Sequence, residues 1–431
     1  MTDNKITSYC LEALLKAGAQ KSQCALTRNR KFEMNVEAGE ISLLRTTLEV
    51  VISLGAIKDN RKGSITINKI DIPTIDEAIA SVIELSETSE QDVDFDIAAM
   101  QVPKEYISGN DEPDLDRMYV LMKNFVKVVK VEYPSINIIE SALTFNHYIK
   151  YFTNSNGVNF KESKGLYNFS IMFASKSGQK SSSFNSTGCA MKNLDRELLD
   201  TGTVRNLLAQ SVEQLNTKAL MGSFVGDVVI TPDCISDFID YYVGTFLGDR
   251  ALISGTSLLK DKLDKVVANF KLTLSASPIS PSISSGYFVT QDGFEAKNVT
   301  LIKRGVLKSF MLSLYGSRKT KFERAENSGG AYIIEKGDRS LSDIILGIKK
   351  GIIISRFSGG SPSASGDFSG VAKNSYYIED GQIKYPIAET MASGNLLDIF
   401  MNIKEISEER IDFGSAILPW ICSSGVTISG K

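Results

Sequence analysis

The sequence predicts an α+β protein of two domains, built on mostly antiparallel sheets with flanking helices. Long segments rich in Val, Ile and Thr are joined by short turns containing Gly or Asn, which favours hairpins over βαβ units. Between groups of these strands lie segments with apolar residues at helical spacing. A chain of 431 residues is long enough for two or three domains with sizeable cores.

The elements of the first half follow from local patterns. A helix is predicted over residues 4–18, and a second one, capped by Thr74, over 74–85. A third helix is predicted over 113–131 and a fourth over 195–218. The acidic stretch 86–112 is predicted to be a surface connection. The predicted strands lie at 24–26, 31–36, 41–57, 63–68 and along 137–174, with a hairpin turn at 154–157.

A change of composition at 222–227 predicts the domain boundary, which gives an N-terminal α+β domain over 1–222 and a strand-rich C-terminal domain over 223–431. Thr231, Pro232 and Asp233 form a helix-start sequence. After them, apolar residues recur at helical spacing as far as Leu247, so a buried helix is expected there. From residue 272 onward strands and Gly/Ser-rich turns dominate, with one clear helical interval at 340–350.

Composition excludes several classes of function. The formal net charge is −3, which argues against a protein that mainly coats nucleic acid or an anionic membrane. The five cysteines are scattered and show no CxxC pair, so a reducing compartment is expected. The polar start MTDNKITSYC contains no apolar signal core, and no apolar run is long enough to span a bilayer. The expected location is the cytoplasm.

Hydrolytic chemistry is limited by the count of histidines, since His147 is the only one. A catalytic zinc usually needs at least one or two imidazoles, so the common zinc triads cannot be built. His147 lies on a predicted strand, and no GxSxG sequence accompanies it. The segment GVTISGK at 425–431 resembles a phosphate loop, but it has no following Ser/Thr and no helix.

The densest tract of small residues is SRFSGGSPSASGDFSG at 355–370. Gly and Ser let backbone amides approach whatever the tract covers. Two interpretations remain open, a flexible surface loop or a loop lining a peptide-binding or partner-binding groove. The candidate binding residues are Gly359, Gly360, Gly366, Asp367, Phe368 and Ser369.

Several segments together resemble the TldD/PmbA family. In the C-terminal half these are LTLSASP at 272–278, the segment from GYFVTQDGF to LYGSRK at 286–319, GDFSG at 366–370, YYIEDGQIKYPIAE at 376–389 and ASGNLLDIF at 392–400. In the N-terminal half VEAGEISLLRTT at 36–47 and RKGSITINKID at 61–71 fit the family's opening hairpins. The similarity covers nearly the whole chain in the same order.

The resemblance implies a family with two kinds of subunit. TldD-type chains carry an HExxxH zinc motif and a C-terminal cysteine ligand, whereas TldE-type chains, also called PmbA, lack the motif and pair with TldD. The pair acts as a cytoplasmic metalloprotease on unfolded peptides and matures peptide antibiotics; an older label is modulator of DNA gyrase. The family pattern places the motif at Asp240, Tyr241 and Thr245, where both ligands and the acid/base Glu are replaced. Cys422 falls near the family's cysteine ligand, but a buried strand cysteine is the simpler interpretation.

Three hypotheses follow from this resemblance. The first is a non-catalytic TldE/PmbA-like subunit, with no catalytic residue, metal or cofactor of its own, paired with a zinc-bearing TldD-type subunit around an unfolded peptide. The second is a homodimeric protein that binds peptides or a partner such as gyrase, without protease activity. The third is an independent enzyme that uses Asp240, Cys422 or His147.

Overall fold

Residues 2–37 and 39–431 are described by the computed structural model, and they contain two large sheets. The first sheet occupies the N-terminal half. Its strands are β1 (Lys21–Glu37), β2 (Glu40–Lys58), β3 (Arg61–Ile67), β4 (Lys104–Ser108), β5 (Ile136–Asn154), β6 (Asn159–Ser177), β7 (Lys180–Ser181) and β8 (Asn185–Met191).

The strand order of this sheet is β3-β2-β1-β5-β6-β4, with β7 and β8 also paired to β6. All neighbours are antiparallel except β4, which runs parallel to β6. The edge strand β3 forms hydrogen-bonded pairs with only Ile52–Lys58 of the much longer β2. Among the described residues, no strand pairs with Ile41–Val51 on the side facing away from β1.

The helices of the N-terminal half pack on one face of the first sheet. They are α1 (Asp3–Lys16), α2 (Ile72–Thr88), α3 (Leu115–Glu132) and α4 (Val204–Glu213). Side chains alternate along β1, so Cys24, Leu26 and Met34 point to the same face. Cys24 and Leu26 are buried against α1 and α2, while Met34 is buried against α3 and α4. The four helices therefore bury one face of the first sheet. Helices α1 and α2 form one core cluster with it, and α3 and α4 form another.

The second sheet contains the strands of the C-terminal half. They are β9 (Ser223–Ile230), β10 (Leu274–Ala276), β11 (Val299–Lys303), β12 (Val306–Leu307), β13 (Tyr332–Ile334), β14 (Lys350–Ile354), β15 (Arg356–Ser358), β16 (Asp367–Lys373), β17 (Tyr376–Glu379), β18 (Gln382–Pro386), β19 (Thr390–Asn395), β20 (Ile403–Asp412) and β21 (Ile417–Ser429). The helices of this half are α5 (Pro232–Tyr242), α6 (Asp249–Ile253), α7 (Leu314–Thr320), α8 (Leu341–Leu346) and α9 (Leu396–Met401).

Strands β9 and β21 pair antiparallel at the middle of this sheet, and α5 packs against one of its faces. Ile230 and Ile421 contribute to the large core cluster on the α5 side. Their neighbours Val229 and Cys422 point the other way and pack with Ile344 of α8. The α+β class and the mostly antiparallel sheets are confirmed, although β9–β14 and β13–β21 are parallel pairs.

An acidic segment of the N-terminal half contacts α7 of the C-terminal half. Asp92 forms an ion pair with Lys319 at 2.8 Å and accepts a hydrogen bond from Tyr315 Oη at 2.8 Å. Asp96 forms ion pairs with both Lys21 and Arg318. These contacts join the two sheets across the predicted boundary at residue 222, which itself stays a prediction.

Several local predictions are wrong in detail. Asp71, not Thr74, caps α2, because its carboxylate accepts from the Thr74 backbone N–H at 3.0 Å. The helix expected over 195–218 is reduced to α4 with short 3₁₀ turns on either side. The stretch 86–112 is not only surface, since it contains β4 and buries Ala98 and Tyr106.

The C-terminal half also has more helix than the sequence predicts. The interval expected at 340–350 contains the six-residue α8, but α7 and α9 were missed because each is only six or seven residues long. Such short segments show too few turns for a helical period. None of the helices in the described ranges is long and apolar enough to cross a bilayer.

Candidate functional site

The helix expected from Thr231 to Leu247 changes its geometry near its end. Residues Pro232–Tyr242 are α-helical, and Val243–Leu247 form a π turn. In an α-helix, residues five apart point about 140° away from each other. Within a π turn, the wider i→i+5 spacing brings such residues toward one face. Asp240 and Thr245, the two predicted motif positions, accordingly line the same cavity.

That cavity has a volume of about 650 Å³. One wall is α5 with its π turn, and the opposite wall is the small-residue tract. The lining residues are Asp240, Tyr241, Gly244, Thr245, Arg250, Ala251, Ser254, Thr256, Pro362, Ser363 and Ala364. The helix that carries the motif positions and the small-residue tract, which the sequence analysis identified for separate reasons, therefore meet at one cavity.

Few charged groups surround the cavity. Burial raises the pKa of Asp240 above its ordinary value, and the negative charge of Asp237, one turn earlier on α5, raises it further. Burial and the nearby Asp240 carboxylate also raise the pKa of Tyr332 to about 12. Arg250 is the cation among the lining residues. The cavity thus combines one carboxylate of raised pKa with one guanidinium and several hydroxyl groups.

The small-residue tract is a loop only between β15 and β16. Asp367, Phe368 and Ser369 belong to β16, which corrects the prediction that they lie in the loop. Gly359 and Gly360 have positive φ angles of 76° and 64°. A Cβ on Gly360 would lie 1.7 Å from the carbonyl oxygen of Ser369, whereas a Cβ on Gly359 would meet nothing within 4 Å.

Hydrogen bonds and aromatic contacts hold this loop in place. The Asp367 carboxylate accepts from Asn395 Nδ2 at 2.9 Å and from Ser365 Oγ at 2.6 Å, and these bonds lower the pKa of Asp367. Phe368 is buried, with its ring 5.5 Å from that of Phe238 on α5. The β16 end of the loop is thereby fixed to α5, while Gly359, Gly360, Asp367 and Ser369 stay exposed.

The residues of the cavity do not fit a catalytic zinc. The three motif positions offer one carboxylate, a phenol and a hydroxyl, and the rest of the lining adds only further hydroxyl groups and the Arg250 guanidinium. Zinc centres in enzymes are built from imidazole, thiolate and carboxylate ligands. Within the described ranges, no group of three or more His, Cys, Asp or Glu side chains is placed to hold a metal ion. Asp240, Tyr241 and Thr245 remain on a helical segment, but they do not supply the imidazole nitrogens of an HExxxH motif.

Cys422 lies on the wrong face of the sheet for this site. Its side chain is buried among Val229, Ile344 and Ile348, on the side of β21 opposite α5. Burial, followed by the Asp227 carboxylate, raises the pKa of the Cys422 thiol to about 12. Cys422 is a buried cysteine of a strand, which was the simpler interpretation of the sequence, and the sheet separates its side chain from the α5 side where Asp240 lies.

His147 also fails to form a triad. Its Nε2 atom lies 3.1 Å from Ser163 Oγ and 3.2 Å from Asp111 Oδ1. A serine triad needs the serine on one ring nitrogen and the carboxylate on the other, so that the imidazole can relay a proton between them. Here both partners contact the same nitrogen. His147 is a buried polar residue of β5 in the N-terminal half.

Sequence reasoning missed Arg250, Ser254 and Thr256 on the cavity wall. They lie on α6 and just after it, and α6 is only five residues long. The one available signal was the cluster of small and polar residues that follows the predicted helix end at Leu247. They follow the break in the helix at Gly248, whose backbone is extended, with φ −88° and ψ 167°.

The chain was compared with known proteins. Residues 223–430 match the family of the PmbA/TldA metallopeptidase C-terminal domain. "Metalloprotease PmbA" of Escherichia coli O157:H7 is 22% identical over 437 residues, covering 96% of this chain and 95% of that protein. The "Zinc metalloprotease TldD homolog" of Saccharolobus solfataricus is 28% identical over 200 residues, covering 43% of this chain and 44% of that protein.

The crystal structure of TldE from Thermococcus kodakarensis has the same fold. It superimposes with a TM-score of 0.84 at 19% sequence identity, covering 99% of both chains. An identity this low supports the fold and carries no residue roles. The match in fold extends over both sheets, whereas the family match covers the second sheet only.

Proposed function

The chain belongs to the PmbA/TldD family, as its sequence predicts, and on that premise we propose that it is a non-catalytic TldE/PmbA-like subunit of a TldD/TldE-type cytoplasmic zinc metalloprotease. The enzyme would degrade or mature unfolded peptides. The observation that carries the proposal is the cavity between α5 and the β15–β16 loop. It keeps the motif positions on one face, and its lining residues include neither an imidazole nor a thiolate.

In this role the chain contributes binding surface, and a TldD-type partner contributes the zinc. Extended peptides are held by main-chain pairing and by shallow contacts that tolerate different side chains. Gly359, Gly360, Asp367 and Ser369 are exposed at the loop and are the candidate contacts. Gly366 and Phe368 are buried and support the loop from below. Arg250 and Asp240 supply opposite charges on the wall of the cavity.

The proposal is tested by reconstitution with a TldD-type subunit from the same genome. The purified chain alone is expected to leave unfolded casein intact, and the mixture is expected to cleave it. An Ala364→Trp variant fills the cavity and should lower the kcat/KM of the mixture at least tenfold. Ala99→Trp, at an exposed position remote from the cavity, is the matched control. Cleavage by the isolated chain that survives a chelator would refute the proposal.

A second candidate function is the homodimeric peptide-binding or partner-binding protein without protease activity. The observation that favours it is the edge of β2 over Ile41–Val51, which no strand of the described residues pairs on the side away from β1 and which is suited to self-association. A genome without any HExxxH-bearing relative would favour this candidate. An HExxxH-bearing relative encoded next to this chain would favour the first.

A further inference from the structure

Two cysteine thiols of the N-terminal half lie together between α1 and the first sheet. Cys10 belongs to α1 and Cys24 to β1, and neither side chain is exposed to solvent. Both belong to the core cluster that α1 and α2 form with the sheet. The Cys24 S–H donates a hydrogen bond to the Cys10 sulfur. The two sulfur atoms are therefore direct neighbours in a packed core.

Two further contacts along α1 place these thiols against each other. The Asp3 carboxylate accepts two hydrogen bonds from the Arg28 guanidinium, each at 2.8 Å. The Leu11 carbonyl accepts a hydrogen bond from Ser22 Oγ at 3.4 Å. The helix and the strand therefore run in opposite directions, and each cysteine lies between these two contacts on its own element.

The surroundings give the two thiols different reactivity. The hydrogen bond from Cys24 outweighs burial and lowers the pKa of the Cys10 thiol. The same hydrogen bond, followed by burial, raises the pKa of the Cys24 thiol. The thiolate is the form that attacks a disulfide. Cys10 is therefore the first of the two to react, and Cys24 is the second.

We propose that Cys10 and Cys24 form a redox-active dithiol, which a low-molecular-weight disulfide such as glutathione disulfide oxidises to an intramolecular disulfide. The Cys10 thiolate attacks one sulfur of the oxidant, forms a mixed disulfide and releases one thiolate. The Cys24 thiolate then attacks the Cys10 sulfur and releases the second thiolate. The protein loses two electrons and two protons, and the oxidant is reduced to two thiols that take up both protons.

Oxidation requires α1 to lift from the sheet, because both thiols are buried. Only one stripe of this helix is buried, formed by Ile6, Thr7, Cys10 and Leu14. A helix held by one stripe opens locally at a lower free energy than the whole protein unfolds. The disulfide closes the loop 10–24 and ties α1 to β1. Oxidation therefore converts a helix that can open into one that stays on the sheet.

The remaining three cysteines serve as internal controls. Cys189 lies on β8, Cys234 on α5 and Cys422 on β21. Cys234 and Cys422 pack in different core clusters, on opposite faces of the second sheet. Specific oxidation of the native chain should therefore leave all three as thiols.

Peptide mapping tests the disulfide directly. The full chain, reduced and then freed of reductant, is incubated with glutathione disulfide, alkylated and digested with trypsin. Trypsin cuts after Lys and Arg, so Cys10 and Cys24 fall in the separate peptides 6–16 and 22–28. These two peptides should be recovered joined by a disulfide. The same incubation in urea is the matched control, and it should give a mixture of pairings among all five cysteines.

Alanine variants test the order of attack. Cys24→Ala should stop at the mixed disulfide, with glutathione attached to Cys10. Cys10→Ala should attach glutathione to Cys24 at least about tenfold more slowly, because less of that thiol is ionised. Cys234→Ala is the control and should form the joined peptides at the wild-type rate.

Hydrogen exchange tests the effect on the helix. The backbone amides of α1 should exchange at least about tenfold more slowly after oxidation, and dithiothreitol should restore the original rate. The oxidised Cys24→Ala variant should not show this slowing, because it cannot form the disulfide. These readouts do not depend on proteolysis, so they remain valid if the proposed peptidase role is wrong.

A native wild type that never yields the joined peptides would overturn the proposal. The same mixture of pairings in the native and the urea-treated chain would overturn it as well. Equal rates of glutathione attachment in Cys10→Ala and Cys24→Ala would overturn the assignment of Cys10 as the attacking thiol.

Discussion

Tyr241 on α5 and Ser361 in the β15–β16 loop place their hydroxyl oxygens 3.4 Å apart. The two residues are 120 positions apart in the chain. One belongs to the segment that the family resemblance aligns with HExxxH, and the other belongs to the small-residue tract. Their contact joins the two walls of the cavity, so substitutions in the loop should affect the same binding events as substitutions on α5.

The loop conformation should depend on Gly360 much more than on Gly359. Both have positive φ, so alanine at either position costs about 1 kcal/mol of backbone strain. Only at Gly360 does the added Cβ collide with the Ser369 carbonyl. Gly360→Ala should therefore lower the free energy of unfolding by about 2–3 kcal/mol in urea titrations. Equal losses for Gly359→Ala and Gly360→Ala would contradict this arrangement of the loop.

Phe368 should be the main anchor of β16 on α5. It is 5% exposed and its ring lies 5.5 Å from the rings of both Phe238 and Phe357. Phe368→Ala should cost about 3–5 kcal/mol in the free energy of unfolding, because it leaves a cavity in a packed core. Phe270→Ala, at a phenylalanine that is 63% exposed, should cost less than about 1 kcal/mol. A small loss for Phe368→Ala would show that the loop end is not held by this contact.

Removal of the Asp292–Arg324 ion pair should destabilise the C-terminal half in a pH-dependent way. Arg324 contacts both carboxylate oxygens of Asp292 at 2.8 Å, and Leu314 N–H donates to the same carboxylate at 2.8 Å. Burial acts to raise the pKa of Asp292, but these partners outweigh it, and the net pKa lies below the usual 3.8. Asp292→Asn should cost about 2–4 kcal/mol near neutral pH.

The sign of the pH dependence follows from the lowered pKa. Above pH about 4 the carboxylate is charged in both folded and unfolded chains, so its stabilisation is complete. As pH falls through the folded-state pKa the stabilisation is lost, and the difference between wild type and Asp292→Asn should shrink. Unfolding by guanidinium chloride at pH 7 and at pH 3 measures this. Asp261→Asn, at an exposed carboxylate, should show no difference at either pH; a gap for Asp292→Asn that widens in acid would contradict the assignment.

Histidines introduced at motif positions 240 and 245 should allow this chain to bind zinc. The wild type purified without chelator should hold much less than one zinc per chain. Because the π turn brings residues 240 and 245 to the same cavity, the double variant Asp240→His with Thr245→His should bind zinc at least about tenfold more tightly than Asp240→His alone. Calorimetric titration measures the three proteins. Equal affinities for the single and double variants would mean that the two positions do not face each other.

The sequence predicted the helix that lines the cavity better than the π turn and the loop that complete it. The apolar spacing from Ile235 to Leu247 correctly placed a buried helix, because one face of that helix packs against β9 and β21. It could not show the π turn, since a single extra residue in one turn leaves the apolar pattern nearly unchanged. Nor could it separate the loop residues from Asp367, Phe368 and Ser369, whose strand pairing with β19 is a long-range contact.

Two facts were available from the residues alone. His147 is the one imidazole, which limits the zinc centres that can be built, and the order of motifs resembles that of the PmbA/TldD family. The tertiary structure decided the rest. It put Cys422 on the face of β21 away from α5 and brought Tyr241 and Ser361 together at the wall of a cavity. Within the described ranges, it left Ile41–Val51 paired on one side only, with β1. These depend on which strands pair and which faces meet, and such long-range choices are set by packing, which a local pattern does not encode.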